Sequence, residues 1–222
     1  MWAADGGQVI VLVEGFLGNG LGLPVQQREH AERRSVQVSS GETEAFVAIT
    51  FAAYNQGRCR NLDEDNLCRI YDRRPLVCRI YPMEINPHIP LDIAVKECPP
   101  QSWESGPDLI VGGTLVDQPL AELIQRSRQA DRDDVLVKDA MCALLGIRTT
   151  ALKGDGLTAY LPDMAEFATI FDELAGQTLP EWASEWLFHV SGDDIAGQVQ
   201  AAGAEVTSET AQNYAFISLR AA

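Results

Sequence analysis

No run of this chain comes near the ~20 consecutive apolar residues that a membrane helix requires. Met1 to Gln8 carry no positive charge, and the apolar run Val9–Val13 that follows is closed by Glu14 after five residues, so the start does not read as an export signal. These features predict a soluble protein of the cytoplasm with no membrane partner. Positive charge is scarce: 17 Lys and Arg stand against 32 Asp and Glu, a net charge of −15. Phosphate backbones reward clustered cations, so no nucleic-acid partner is expected. Histidine is scarcer still, and His30, His88 and His189 have no serine or cysteine motif of a hydrolase around them. The glycine-rich segment Gly15–Gly22 lacks the lysine of a phosphate loop and runs into Leu23-Pro24 instead of opening a helix, which leaves it a surface loop. Repeats and low-complexity tracts are missing, and so is any Cys-x2-Cys pair. An odd count of five cysteines without an export signal speaks against a disulfide framework and for reduced thiols.

What is present is enough apolar residue, 46% of 222, for a chain of this length to bury a core without covalent staples. Gln8–Val13 is a β-branched run between glycines and reads as a strand. Ser35–Val38 and Ala45–Phe51 flank Ser39-Ser40-Gly41-Glu42, a hairpin signature with a loop longer than the tightest type, and Val47, Ile49 and Phe51 share its buried face. Beyond Pro99-Pro100 the period changes to that of helices. One starts at the Asp117 cap with Pro119 in its first turn and breaks near Asp131–Asp133, resuming through Val137, Met141 and Leu144. A second follows Pro162 with Met164, Phe167, Ile170, Phe171 and Leu174 on one face. A third is expected from Pro180 with Trp182, Trp186 and Val190 buried, and a fourth from Ser191 to Gly203. Asn213–Leu219 is apolar and short, a strand or a helix by pattern alone.

The chemistry concentrates in residues 59–99, CRNLDEDNLCRIYDRRPLVCRIYPMEINPHIPLDIAVKECP. Cys59, Cys68, Cys78 and Cys98 lie there, separated by eight, nine and nineteen residues, and Cys142 lies alone downstream. Thiolates suit zinc or an iron–sulfur cluster, and four of them complete a tetrahedral shell. The spacing by itself, which has no Cys-x2-Cys pair, favours scattered core cysteines over a metal site. Its surroundings add weight: Asp63-Glu64-Asp65-Asn66 is a turn that folds Cys59 and Cys68 toward each other, and Pro75 and Pro82 stiffen the chain around Cys78. Six arginines against four acids make residues 58–79 locally +2 while the rest carries −17, and neighbouring cations offset thiolate charge. His88 is a weaker candidate ligand. Cys142, amid helical neighbours, is expected to be a buried spectator.

The run Cys68, Ile70, Tyr71, Arg74, Pro75, Cys78, Arg79, Tyr81, Pro82, with Cys59 before it and Cys98 after it, resembles the YkgJ-like cysteine-cluster family, whose domains are described as zinc- or iron-chelating. The resemblance covers about residues 47–100. It implies that Cys59, Cys68, Cys78 and Cys98 are metal ligands, supported by Tyr71, Arg74, Arg79 and Tyr81, with zinc or iron, including an iron–sulfur cluster, as cofactor. The family pattern opens with a Cys-x2-Cys group that is absent here, so the chain is expected to start downstream of it or to be a degenerate branch. Similar clusters occur in flagellin lysine methylases, so an accessory or degenerate member of such an iron–sulfur enzyme family is one alternative. The other is an acidic interaction protein with core cysteines. The expected fold is α+β, with a small antiparallel sheet or hairpin, irregular cysteine-organised loops and a helical C-terminal half. The expected division is a cysteine-cluster domain over 1–110 and a helical extension over 111–222, packed as one unit.

Overall fold

The computed structural model describes residues 2, 6–98, 100–179 and 184–220. The fold is α+β, and the chain divides into two compact units, one formed by Met1–Arg60 together with Asp134–Ala222, the other by Asn61–Asp133.

The first unit is built on β1 (Gln8–Leu17), whose alternating pattern buries Val9, Val11 and Val13 as the period of a half-covered strand demands. A helix of five residues, α1 (Arg28–Glu32), leads into β2 (Val36–Ser40) and β3 (Thr43–Tyr54). β3 runs antiparallel to β1 along its whole length, from Gln8 opposite Tyr54 to Leu17 opposite Ala45. The β2–β3 connection is tighter than the sequence pattern indicates. Ser39 and Ser40 stay in the strand, opposite Glu44 and Thr43, and only Gly41-Glu42 form the loop. The cause is local: Gly41 adopts φ 55°, and a Cβ there would lie 2.7 Å from the Gly203 carbonyl oxygen, so the tight turn depends on glycine.

The second unit, inserted in sequence after Arg60, holds α2 (Leu76–Ile80), the two-residue strands β4 (Ile110–Val111) and β5 (Thr114–Leu115), and α3 (Gln118–Asp133). Asp117 caps α3 through Leu120 N (3.0 Å). Among the described residues its apolar cluster is Ile80 with Leu120 and Ile124, fringed by Leu76, Met83, Ile85 and Leu123. The described residues between Asn61 and Pro75 and between Tyr81 and Leu109 are turns and short 3-10 segments, the irregular cysteine-bearing region the sequence leads one to expect.

The chain then re-enters the first unit as α4 (Val135–Leu144), after the break expected near Asp133. β6 (Thr149–Leu152) and β7 (Gly156–Tyr160) follow, then α5 (Met164–Leu174), capped by Asp163 through Ala165 N (2.9 Å) and Glu166 N (3.0 Å). Next come β8 (Leu187–His189), α6 (Asp193–Ala201), β9 (Val206–Thr207) and β10 (Ala215–Ser218). These strands complete an eight-stranded mixed sheet in the order β10-β7-β1-β6-β8-β9, with β3 on β1 and β2 on β3. Ser39 N donates to Ser184 O and Trp186 N donates to Ser39 O, both at 2.9 Å, which ties the outer edge of β2 to the segment entering β8. The path β2-β3-β1-β6-β8 thereby returns to its start as a closed barrel. Val11, Val13, Leu17, Val47, Met141, Trp186, Phe188 and Val199 fill the core at 0–1% exposure.

The expected third helix is corrected. Pro180–Ala183, with Trp182, lie outside the described residues, and Trp186 to Val190 follow a strand instead. Trp186, Phe188 and Val190 are all buried, a period of two that the i, i+4 spacing of Trp186 and Val190 imitates. Asn213–Leu219 resolves as strand β10. The C-terminal half still carries α3, α4, α5 and α6, four of the six helices. Among the described residues no helix is long and apolar enough to cross a membrane.

His189 shares this core. Its Nδ1 lies 2.7 Å from the Tyr214 hydroxyl and its ring stacks on Phe216 at 4.2 Å. Burial lowers its pKa, partly opposed by the Asp155 carboxylate. A histidine depressed in the folded state takes up its proton more readily when unfolded. Its contribution to stability is therefore fully present above the unfolded value, about 6.5, and drains away as pH falls below it. Urea midpoints of the wild type should fall between pH 7 and pH 5, and His189→Gln should flatten that slope; equal slopes would assign the acid sensitivity elsewhere.

Candidate metal-binding segment

The segment begins where β3 ends. Arg60 N donates to Asn55 Oδ1 (3.2 Å) and the Arg60 guanidinium bonds the Gly6 carbonyl, which pins the loop carrying half-buried Cys59. Two residues later the expected turn is present. Asp63 Oδ1 accepts from Asp65 N (3.0 Å) and Leu67 N (2.8 Å), Asp63 N donates to Leu67 O (2.9 Å), and Asn66 takes the left-handed φ of 63° that its short polar side chain tolerates. The turn sets Leu62 opposite Cys68 in an antiparallel bridge, with Arg69 N donating to Asn61 O (2.8 Å). Beside this bridge the Asn61 side-chain nitrogen is buried with no hydrogen-bond partner among the described residues.

Pro75 then starts α2, accepting from Cys78 N (3.0 Å) and Arg79 N (3.2 Å) through its carbonyl. Cys78 and Arg79 are exposed on this helix. Arg74 does not point to a thiol: its guanidinium covers the Tyr71 ring at 3.8 Å and its Nε donates to the Tyr71 carbonyl (3.2 Å). Tyr81 has a more specific place. Its hydroxyl oxygen accepts from Glu97 N (3.0 Å) and from the Cys98 thiol (3.5 Å), across 17 residues of chain. The Cys98 contact is also the main cause of a raised Tyr81 pKa, so the phenol keeps its proton. Lys96, paired with Glu84, lies 5.8 Å over the Tyr81 ring. Tyr81 thus holds the loop of Cys98 close to the end of α2, three residues beyond Cys78. Lys96, Glu84 and Asn61 are the residues that sequence reasoning missed. The first two are a salt bridge 12 residues apart, which no local pattern announces.

All five cysteines are free thiols, and they divide sharply. Cys142 is fully buried on α4, and burial, reinforced by Asp139, pushes its pKa up to about 12. It is an inert core residue, as expected. Cys59, Cys68 and Cys98 are half-buried and Cys78 is exposed, so none of the four is core. His88 is exposed in the loop between Cys78 and Cys98. Among the described residues no three His, Cys, Asp or Glu side chains are gathered closely enough to hold a metal ion. The donor set therefore fits a thiophilic metal in chemistry and accessibility, while its members stand apart.

Residues 22–99 match a family model named CxxCxxCC, described as a putative zinc- or iron-chelating domain. That model is the YkgJ-like cysteine-cluster family, to which this segment is similar. The cysteine-cluster match reaches back beyond residue 47 to include α1 and the β2–β3 hairpin, and it covers just over a third of the chain. No curated protein and no solved structure matches the chain.

Proposed function

We propose that the cysteine-cluster segment chelates zinc or iron through Cys59, Cys68, Cys78 and Cys98. The observation that carries this reading is the division of the thiols. Three lie half-buried on irregular chain and Cys78 lies exposed on α2, all four outside the apolar core clusters, and the one cysteine outside the matched segment is buried and inert. Free cysteine ordinarily goes into cores, so four that do not have another use. Four thiolates around zinc would serve structure, whereas an iron–sulfur cluster would carry an electron. Tyr81 orients Cys98, the Tyr71–Arg74 stack stiffens the approach to Pro75 and Cys78, and Arg79 adds positive charge next to Cys78 in the chain.

The test is elemental analysis of the full chain after anaerobic equilibration with Zn(II) or Fe(II) and dialysis against a competing chelator. One metal site per chain is expected. Serine at any one of the four positions should lower retention by tenfold or more, and Cys142→Ser should leave it unchanged. A wild type that emerges free of both metals, or four serine variants that retain metal as it does, defeats the proposal.

A further inference from the structure

We infer that the thiols are sorted into two preformed arms, and that loading a metal joins the arms instead of gathering four independent loops. The inference rests on the chelation reading above and concerns how that site is assembled. The first arm is the 61–69 turn, which carries Cys68 and is entered by Cys59 two residues before Asn61. Four hydrogen bonds to and from Asp63, together with the Leu62–Cys68 bridge, fix its shape without help from a core. The second arm is α2 with the returning 96–98 loop, which carries Cys78 and Cys98. Its 19 intervening residues are closed by the Tyr81 hydroxyl, which takes up both Glu97 N and the Cys98 thiol.

Closing a 17-residue loop costs chain entropy whether a metal or a hydrogen bond does it. Tyr81 meets that cost before any metal arrives. In the first arm the buried Asn61 amide nitrogen, with no acceptor of its own, is a donor held in reserve one residue from the Leu62–Cys68 pair. Each arm is thus internally fixed. Only their mutual approach is left open, which is why no three donors stand together among the described residues.

Hydrogen exchange on the full chain, read by mass spectrometry with and without Zn(II), tests the inference alongside a chelator competition. Segments 61–69 and 96–98 should gain protection at the same Zn(II) concentration. In Cys68→Ser, Zn(II) should no longer protect 96–98, because the second arm has lost its counterpart. Tyr81→Phe keeps the ring and removes the tether. It should speed exchange at 96–98 in the metal-free protein, leave 61–69 unchanged, and weaken Zn(II) retention about tenfold. Zn(II) protection of 96–98 that persists in Cys68→Ser, or a Tyr81→Phe protein indistinguishable from wild type without metal, would overturn the two-arm assembly while leaving chelation standing. Absence of Zn(II) and Fe(II) binding in the wild type would overturn the chelation reading itself.

Discussion

Phe188→Ala lowers the unfolding free energy of the barrel unit by about 4 kcal/mol, the largest effect expected of any single core truncation here. Phe188 is completely buried at the middle of β8, and its ring edge lies where a Cβ on Gly15 of β1 would come within 3.1 Å. The neighbours on that side are strand backbone and Thr150, which cannot move in to fill the space. The cavity therefore stays open, and its cost adds to the lost transfer free energy of the ring. Urea unfolding followed by tryptophan fluorescence should show the midpoint falling with an unchanged slope. Phe171→Ala, on the half-exposed face of α5, is the control and should cost less than about 1 kcal/mol. If the two phenylalanines cost the same, β8 is not the centre of the core.

The second large effect belongs to a carboxylate. Asp155, in the β6–β7 turn and 3% exposed, accepts from Ser191 N (2.8 Å) and the Ser191 hydroxyl (2.5 Å) and pairs with Arg220 Nε (3.1 Å). Its own carbonyl accepts from Leu219 N (2.9 Å). One side chain thus ties the exit of β8 and the end of β10 to a single turn. Asp155→Ala leaves a backbone N–H and a hydroxyl without their acceptor and should cost about 3 kcal/mol. Arg220→Gln removes a half-exposed partner that water can replace and should cost about 1 kcal/mol or less. Thermal melts of both variants decide the matter. A larger loss from Arg220→Gln than from Asp155→Ala would mean that the ion pair, not the buried hydrogen bonds to Ser191, holds the turn.

Elements with a long period or an explicit cap were legible in the sequence. β1 and the β2–β3 hairpin follow the alternation of Val9, Val11, Val13, Val47 and Ile49, and α5 follows Pro162 and its Asp163 cap. The short strands were not. β6, β8 and β9 have four, three and two residues, too few for alternation to be told from chance, and they exist because β1 and one another offer paired edges. Trp186 and Val190 show the reason directly: a spacing of four satisfies a helix template, and only Phe188, buried between them, reveals the period of two. At the metal-binding segment the Asp63–Asn66 turn was readable because its signal is local. Arg74 stacking on Tyr71 and Tyr81 reaching Cys98 were not, since both are choices among rotamers that only the folded chain makes.

The place at which the cysteine-bearing unit interrupts the barrel governs the order in which the protein is made. A ribosome that has just added Asp133 has synthesised β1, β2 and β3 and the whole of the 61–133 unit, but none of β6, β7 or β8. At that moment β1 has its antiparallel neighbour β3 on one side and a bare row of amides and carbonyls on the other. The cysteine unit therefore has its complete sequence synthesised while five of the eight strands of the sheet are still to come, and its four thiols are made before Cys142.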